Sequence, residues 1–217
     1  MTDLPPTADP LDAAEAANRT HDRARRAMID SQLRTSGVNA PFVLRRMAQV
    51  AREDFVPDAN RANAYIDRAI RLDGGGAIAA PLFYGMLLQE ADPKGAERTI
   101  VVDAGSGYLA ELAAPLVGEI TVLSPAEAAG KGGKGGDAQL LRGDAQLLLI
   151  DGAIETVPTV LAKRLDDGAR IVTGLVSNGV TRLAIGRKGT GGVSLFPVHD
   201  MGIPRLHQFD VPKGWSF

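Results

Sequence analysis

The first third of the chain repeats apolar side chains at the spacing of an α-helix. Residues 11–33 are rich in Ala, Arg, Glu and Gln and contain neither Pro nor Gly, until Gly37 offers a stop. This pattern predicts one long helix with a single apolar stripe that docks on the body of the protein. The stripe consists of Ala24, Ala27, Met28 and Leu33.

Two further helices are predicted before residue 95. Asn39 is a candidate N-cap, Pro41 suits a first turn, and Pro57 ends this second helix. Consecutive glycines then open a loop over residues 73–81, and the apolar run of residues 82–90 predicts a third helix. The N-terminal part of the chain is therefore expected to be mainly helical.

The rest of the chain changes to short apolar or β-branched runs. The strand candidates are residues 99–102, 119–123, 147–150, 171–175, 181–185 and 193–198, with a weaker candidate at 139–141. Helices are predicted between some of them, at residues 109–116 and 156–165. Strands that alternate with helices indicate an α/β fold with a Rossmann-like, doubly wound, mostly parallel sheet, to which the helical N-terminal part is an appendage.

These patterns divide the chain into three parts. Residues 1–22 are expected to form a flexible arm, residues 23–95 a helical N-terminal region, and residues 96–217 a shortened Rossmann-like domain. The shortening concerns residues 130–136, where glycine is too frequent for the helix that a parallel crossover usually contains. This connection is predicted to hold at most one helical turn and a flexible loop.

Composition and charge argue against several classes of function. The net charge of -2 at pH 7 gives no general attraction to nucleic acid, and the absence of cysteine excludes disulfides and thiolate metal sites. The 3 histidines do not cluster at metal-ligand spacing. No apolar run approaches the roughly 20 residues of a membrane span, and the acidic N-terminus lacks the features of a secretory signal. We therefore expect a cytoplasmic protein without metal, nucleic acid or membrane; the sequence does not define its oligomeric state.

Two clusters of charged residues are expected to face solvent. Arg23, Arg25 and Arg26 lie on the first predicted helix, and the adjacent acids Glu53 and Asp54 fall in a turn or at a helix end. Such clusters are usually solvated surface, because charged side chains are rarely buried without a partner. Neither cluster predicts a site.

A glycine-containing turn follows the first strand of the predicted sheet. In Val101-Val102-Asp103-Ala104-Gly105-Ser106-Gly107-Tyr108, an acid ends the strand and Gly-x-Gly precedes a helix. Glycine permits close approach of the backbone, and the N–H groups at a helix start attract polar ligands. The motif predicts a nucleoside or anion site at this strand end, and a simple strand-to-helix turn without a ligand is the alternative.

Several further motifs occur in an order that points to one known family. They are Met28-Ile29-Asp30-Ser31-Gln32-Leu33-Arg34, Val50-Ala51-Arg52-Glu53-Asp54-Phe55-Val56-Pro57, Tyr65-x-Asp67, Gly105-Ser106-Gly107-Tyr108, and Asp151-Gly152-Ala153 with Glu155 and Pro158. Together they resemble the protein-L-isoaspartate O-methyltransferase family over residues 25–217. The resemblance implies a class I methyltransferase fold, S-adenosylmethionine as methyl donor, and isoaspartyl carboxylates of damaged proteins or peptides as acceptors.

The resemblance also implies a cofactor site at the ends of three strands. The family has an acid at the end of the second strand, where this chain has Ser124, and an acidic position near the adenine, which Gly143-Asp144 resembles. The implied cofactor-binding residues are Asp103, Gly105, Ser106, Gly107, Tyr108, Ser124, Asp144 and Asp151.

Three departures from the family pattern bear on activity. Only two glycines follow Asp103 where the family has three, and Ser124 carries no charge to bind ribose hydroxyls, so that Glu127 is the nearest acid. Ile78-Ala79-Ala80-Pro81 replaces an Ile-Ser-Gln-Pro acceptor loop, so Ala79 stands where the family has a serine beside the methyl-transfer site, and no catalytic residue is assigned. Methyl transfer to a protein carboxylate, transfer to another acceptor, and a catalytically inactive binding or interaction module therefore all stay open.

Overall fold

A six-stranded sheet forms the centre of the protein. The computed structural model describes residues 10–131 and 145–211 of the chain. The helices are α1 (Pro10–Met28), α2 (Pro41–Gln49), α3 (Pro81–Ala91), α4 (Tyr108–Ala113), α5 (Pro125–Ala128) and α6 (Thr159–Ala162). The strands are β1 (Ile70–Arg71), β2 (Ala77–Ile78), β3 (Arg98–Val102), β4 (Glu119–Leu123), β5 (Ala145–Ile154), β6 (Leu165–Ser177), β7 (Val180–Gly189) and β8 (Gly192–Asp200).

The sheet combines a parallel half with an antiparallel half. Its strand order is β4-β3-β5-β6-β7-β8, and β1 pairs with β2 in a separate two-stranded sheet. The first four strands in this order are parallel, whereas β7 and β8 follow β6 as antiparallel hairpins. The predicted fold class, an α/β protein with a mostly parallel sheet, is confirmed.

Some predicted bounds match the structure closely, whereas strands β5 to β8 are longer than predicted. β4 has the predicted residues, and β3 begins one residue earlier than predicted. The helix predicted at residues 156–165 is wrong, because only the single turn α6 forms before Leu165 enters the long strand β6. The weak strand candidate at 139–141 lies outside the described residues.

The N-terminal region contains a long helix, as the pattern predicted, but two details differ. α1 begins at Pro10, so residues 10–22 of the expected arm are helical, and a π-helical turn continues the chain from Ile29 to Leu33. Of the predicted stripe, Ala27 faces solvent. The prediction of Asn39 as the N-cap of α2 is wrong: the N-cap is Ala40, and the Gln89 side chain of α3 accepts hydrogen bonds from the N–H groups of both residues.

Side chains alternate between the two faces of the sheet, and each face has its own core. The face that carries Val101 of β3 packs against the N-terminal helices, with the buried residues Met28, Leu33, Val43, Met47, Phe83, Leu87 and Leu147. The opposite face is covered by α6 and the C-terminal segment, with Ile100, Val102, Leu148, Ile150, Ile171, Leu161, Leu206 and Phe209. Because the N-terminal helices share a core with the sheet, the carboxyl edge of the parallel strands has a fixed position relative to them.

Candidate functional site

The register of the three parallel strands brings together three of the predicted site residues. Val102 of β3 pairs with Leu123 of β4 on one side and with Ile150 of β5 on the other. The next residues along the chain are Asp103, Ser124 and Asp151, so these three begin the same edge of the sheet. This edge is where open α/β sheets bind their ligands.

The side chain of Asp103 forms hydrogen bonds within the glycine loop. Its carboxylate accepts hydrogen bonds from the N–H groups of Gly105 at 3.2 Å and of Gly107 at 2.9 Å. Gly105 and Gly107 have φ angles of 107° and 76°, in the left-handed region that favours glycine. The hydroxyl of Ser106 accepts a hydrogen bond from the N–H of Tyr108 at 3.2 Å. These five residues therefore form one tight turn between β3 and α4.

This loop differs from a phosphate-binding loop in its charge. The N–H groups of Gly105, Gly107 and Tyr108 already have partners within the loop, and the half-buried carboxylate of Asp103 lies at its centre. A phosphate needs free N–H groups and is repelled by a carboxylate. The loop is therefore suited to a cationic or hydroxyl-bearing ligand rather than to a phosphate.

Glu127 supplies an acid at the end of β4. Its carboxylate accepts hydrogen bonds from the backbone N–H of Ser124 at 2.8 Å and from the Ser124 hydroxyl at 2.7 Å. The Ser124 hydroxyl in turn caps α5 by accepting from the N–H of Glu127. These hydrogen bonds from Ser124 lower the pKa of Glu127 below its usual value. The ionised carboxylate of Glu127 is thus hydrogen-bonded to Ser124, the position at which the protein-L-isoaspartate O-methyltransferase pattern has an acid.

Asp151 lies behind this edge and is connected to helix α3. Its side chain is 1% exposed, and its Oδ1 atom accepts a hydrogen bond from the Tyr84 hydroxyl at 2.8 Å. The pKa of Asp151 is raised to about 7, chiefly by burial and also by the nearby charge of Asp103, while the hydrogen bond from the Tyr84 hydroxyl and the charge of Arg52 oppose this rise. Asp151 Oδ2 is buried, and no hydrogen-bond partner for it lies within residues 10–131 or 145–211. Asp151 therefore faces α3 and the glycine loop from beneath, rather than solvent.

The acceptor-loop position Ala79 is fixed by its backbone. Its N–H donates to the Tyr84 hydroxyl at 3.0 Å, and its carbonyl accepts from Arg52. Arg52 is 0% exposed, donates to the carbonyl of Ala64, and lies over the rings of Tyr84 and Tyr108, at 5.5 and 5.1 Å from their centroids. The loop that lacks the family serine is therefore held in place by buried polar groups.

Tyr84 and buried Arg52 were not predicted as part of the site. Tyr84 and Asp151 are 67 residues apart in sequence, and no local pattern connects them. The expectation that Glu53 is solvated was wrong, because Glu53 is buried and accepts hydrogen bonds from Tyr65 and Arg25. Arg25 is correspondingly half-buried, unlike its neighbours in the arginine cluster. This pairing ties α1 to the segment that follows α2.

The raised pKa of Asp151 gives a testable dependence of stability on pH. Between its ordinary pKa of 3.8 and about 7, the folded protein retains a proton that the unfolded chain releases. The contribution of this retained proton to the free energy of unfolding is therefore complete at low pH and is lost as the pH rises toward 7. We expect the free energy of unfolding of the wild type to fall relative to that of Asp151→Asn over this interval, as measured by urea unfolding. Parallel pH dependences in the two proteins would contradict this expectation.

Several expected features can be compared only with the described part of the chain. Among residues 10–131 and 145–211, no three His, Asp or Glu side chains gather as a possible metal site. None of the helices described there combines the length and the apolar character needed to cross a membrane. Asp144, the predicted adenine-side residue, and most of the glycine-rich segment lie outside those residues.

The fold and this edge together define a class of protein. A mostly parallel sheet, an acid-centred glycine loop after β3, and a second acid at the end of the neighbouring β4 are the features of a Rossmann-like protein of the class I methyltransferase type. A crystal structure from Plasmodium falciparum, described as a candidate protein-L-isoaspartate O-methyltransferase in complex with S-adenosyl-L-homocysteine, has the same fold. It aligns with a TM-score of 0.65 and 16% identity, over 87% of this chain and 98% of that one.

Sequence comparison identifies the family within this class. The family model described as protein-L-isoaspartate(D-aspartate) O-methyltransferase matches residues 23–128. A protein-L-isoaspartate O-methyltransferase 2 from Anaeromyxobacter sp. (strain Fw109-5) is 32% identical in an alignment of 175 residues that covers 72% of this chain and 72% of that protein. A relative from Koribacter versatilis (strain Ellin345) is 29% identical over 187 residues, covering 78% and 83%. The chain belongs to the protein-L-isoaspartate O-methyltransferase family.

Proposed function

We propose that the protein is a cytoplasmic, S-adenosylmethionine-dependent protein-L-isoaspartate O-methyltransferase that acts on isoaspartyl-containing proteins or peptides. The observation that carries the proposal is the Asp103-centred glycine loop beside the carboxylate of Glu127, in a chain that belongs to this family. The relatives do not favour the alternative of an inactive binding module.

The residues at the edge of the sheet fit this cofactor by charge and by hydrogen bonding. Asp103 gives the loop a negative centre, which attracts a positively charged sulfonium or ammonium group. Glu127 has an ionised carboxylate that can accept from two ribose hydroxyls, as Ser124 alone cannot. Gly105 and Gly107 allow the ligand to approach the backbone closely. When bound, S-adenosylmethionine supplies a methyl group on a positively charged sulfur.

A cleft beside Ala80 offers a place for the acceptor. Its volume is about 330 Å³, and it is lined by Asp67, Arg68, Ala69, Ala80, Leu82, Phe83, Met201 and Gly202. Arg68 is exposed and brings a positive charge that attracts a carboxylate. The apolar side chains of Leu82 and Met201 reduce the access of water to the reacting carboxylate. The chain thus contributes charge, orientation and desolvation to the transfer, without a group that forms a covalent intermediate.

The experiment that tests the proposal is methyl transfer to matched peptides. The protein is incubated with S-adenosylmethionine that carries a labelled methyl group, and with two peptides that differ only in an isoaspartyl or an ordinary aspartyl residue. We expect label in the isoaspartyl peptide that rises with time and is removed by mild base, as a methyl ester is. We expect none in the aspartyl peptide.

A no-protein reaction and an Arg68→Gln variant serve as controls for background and for the acceptor cleft. The variant removes the positive charge beside Ala80 but leaves the glycine loop intact. A raised KM for the peptide with an unchanged affinity for S-adenosylhomocysteine is expected. Absence of label above the no-protein reaction would exclude the proposed function, and equal labelling of the two peptides would exclude isoaspartyl specificity.

A further inference from the structure

A buried polar cluster connects the two loops that methyl transfer must hold together. One hydroxyl group, that of Tyr84, bonds both to Asp151 of β5, at 2.8 Å, and to the N–H of Ala79, at 3.0 Å. The other side of Ala79 is held as well, because its carbonyl accepts from Arg52. The N–H and the carbonyl of this acceptor-loop residue are therefore both hydrogen-bonded to buried side chains.

The same cluster lies directly beneath the glycine loop. Tyr108, which follows the glycines of this loop, packs against Tyr84 with ring centroids 5.0 Å apart and lies beneath the Arg52 guanidinium. The charge of Asp103 raises the pKa of Asp151. Gly76, in the turn that leads to Ala79, has a φ of 80°, and a Cβ at this position would lie 2.5 Å from the carbonyl oxygen of Ala104. Asp151 is thus placed between the loop assigned to the cofactor and the loop assigned to the acceptor.

Stability alone does not account for this cluster. Removal of a carboxyl group and a guanidinium from water costs free energy, and a core in which all the charged partners are replaced together by apolar side chains of similar volume is often as stable or more stable. Moreover, three buried atoms of the cluster have no hydrogen-bond partner in the described part of the chain: Arg52 Nη1, Tyr108 Oη and Asp151 Oδ2. Buried polar side chains that cost stability and that hydrogen-bond to one residue of the acceptor loop are typical of groups that orient a reactive site.

We infer that Tyr84 and Asp151 are positioning residues that hold the acceptor loop at Ala79 in a fixed place relative to the glycine loop. This inference rests on the proposed function. Neither side chain touches the reacting atoms, since Tyr84 is 0% and Asp151 1% exposed. In this chain the backbone anchoring of Ala79 takes over orientation at a loop that has lost its polar side chains. A misplacement of about 1 Å is enough to slow an oriented reaction roughly 100-fold.

Tyr84→Phe tests the inference, because it removes the hydroxyl and keeps the ring that packs on Arg52 and Tyr108. We expect kcat for methyl transfer to fall by about 10- to 100-fold, while the affinity for S-adenosylhomocysteine changes less than about threefold. We also expect faster hydrogen exchange at the amide of Ala79, which loses its acceptor. Asp151→Asn, which keeps an oxygen for Tyr84, should retain more of the rate than Tyr84→Phe.

Thr173→Val is the matched control. It also removes a buried hydroxyl, one that donates to the carbonyl of Gly152 on the neighbouring β5 and to that of Gly174, the next residue of β6, but it belongs to neither loop. We expect its kcat and the exchange at Ala79 to stay near the wild-type values. An unchanged kcat in Tyr84→Phe, or an equal loss of kcat in Thr173→Val, would overturn the positioning role.

The exchange measurement separates this inference from the proposed function. If the wild-type protein transfers no methyl group, the proposed function fails by itself. Unchanged exchange at Ala79 in Tyr84→Phe would then show that the hydroxyl does not hold the loop, and would overturn the inference independently of activity. Faster exchange confined to Ala79 and its neighbours would support it.

Discussion

Asp103→Asn is expected to weaken the binding of S-adenosylhomocysteine by roughly 10- to 100-fold, which corresponds to the loss of one charge-assisted hydrogen bond. The asparagine has one acceptor oxygen where the carboxylate has two, and its amide group faces an N–H of the glycine loop. The loop therefore loses an internal hydrogen bond and its negative centre at once. Calorimetric titration of the variant and the wild type measures the change.

The control for Asp103→Asn is Asp167→Asn, which makes the same change of charge in a different place. Asp167 lies on β6 and pairs with Lys188, away from the glycine loop. Its replacement should leave the affinity within about twofold, because surface ion pairs contribute little. An equal affinity in Asp103→Asn and the wild type would mean that the loop is not the cofactor site.

Arg52→Met is expected to lower the free energy of unfolding by about 3–5 kcal/mol, as removal of one partner from a buried charged cluster does. The methionine leaves the carbonyls of Ala64 and Ala79 without donors in the core. It also removes the positive charge that opposes the raised pKa of Asp151. Urea or guanidinium unfolding at constant pH measures the loss.

Arg45→Met is the control for this substitution, because Arg45 is exposed on α2. Its replacement should change the free energy of unfolding by less than about 0.5 kcal/mol, as is usual at the surface. Equal unfolding free energies for Arg52→Met and Arg45→Met would show that the buried guanidinium does not stabilise the fold.

The parallel strands could be predicted from the sequence because their signals are local. β3 and β4 are short β-branched runs that end at Asp103 and Ser124, and the structure has them within one residue of the prediction. The antiparallel half of the sheet also carries a local signal that the strand pattern alone did not use. Asn178 and Gly179, both with positive φ, form the two-residue turn between β6 and β7. An Asn-Gly pair between two apolar runs predicts such a hairpin.

The candidate site was predictable only in part. The acid and the glycines of the loop are adjacent in sequence, and the common register of the strands then brings Ser124 and Asp151 to the same edge. The anchoring of Ala79 was not predictable, because it depends on side chains from three separate segments that meet only in the folded core. The sequence shows only that Ala79 and Ala80 lack the polar side chains of the family, whereas the contacts that fix the loop involve its backbone.

The measurement that tests the central claim most directly is calorimetric titration of the wild-type protein with S-adenosylhomocysteine, with ATP as a competitor. We predict saturable binding at one site per chain, accompanied by a rise in the unfolding temperature. ATP should not compete, because the N–H groups of the loop are already occupied around the Asp103 carboxylate. No heat and no thermal shift with S-adenosylhomocysteine, or displacement by ATP, would contradict the account.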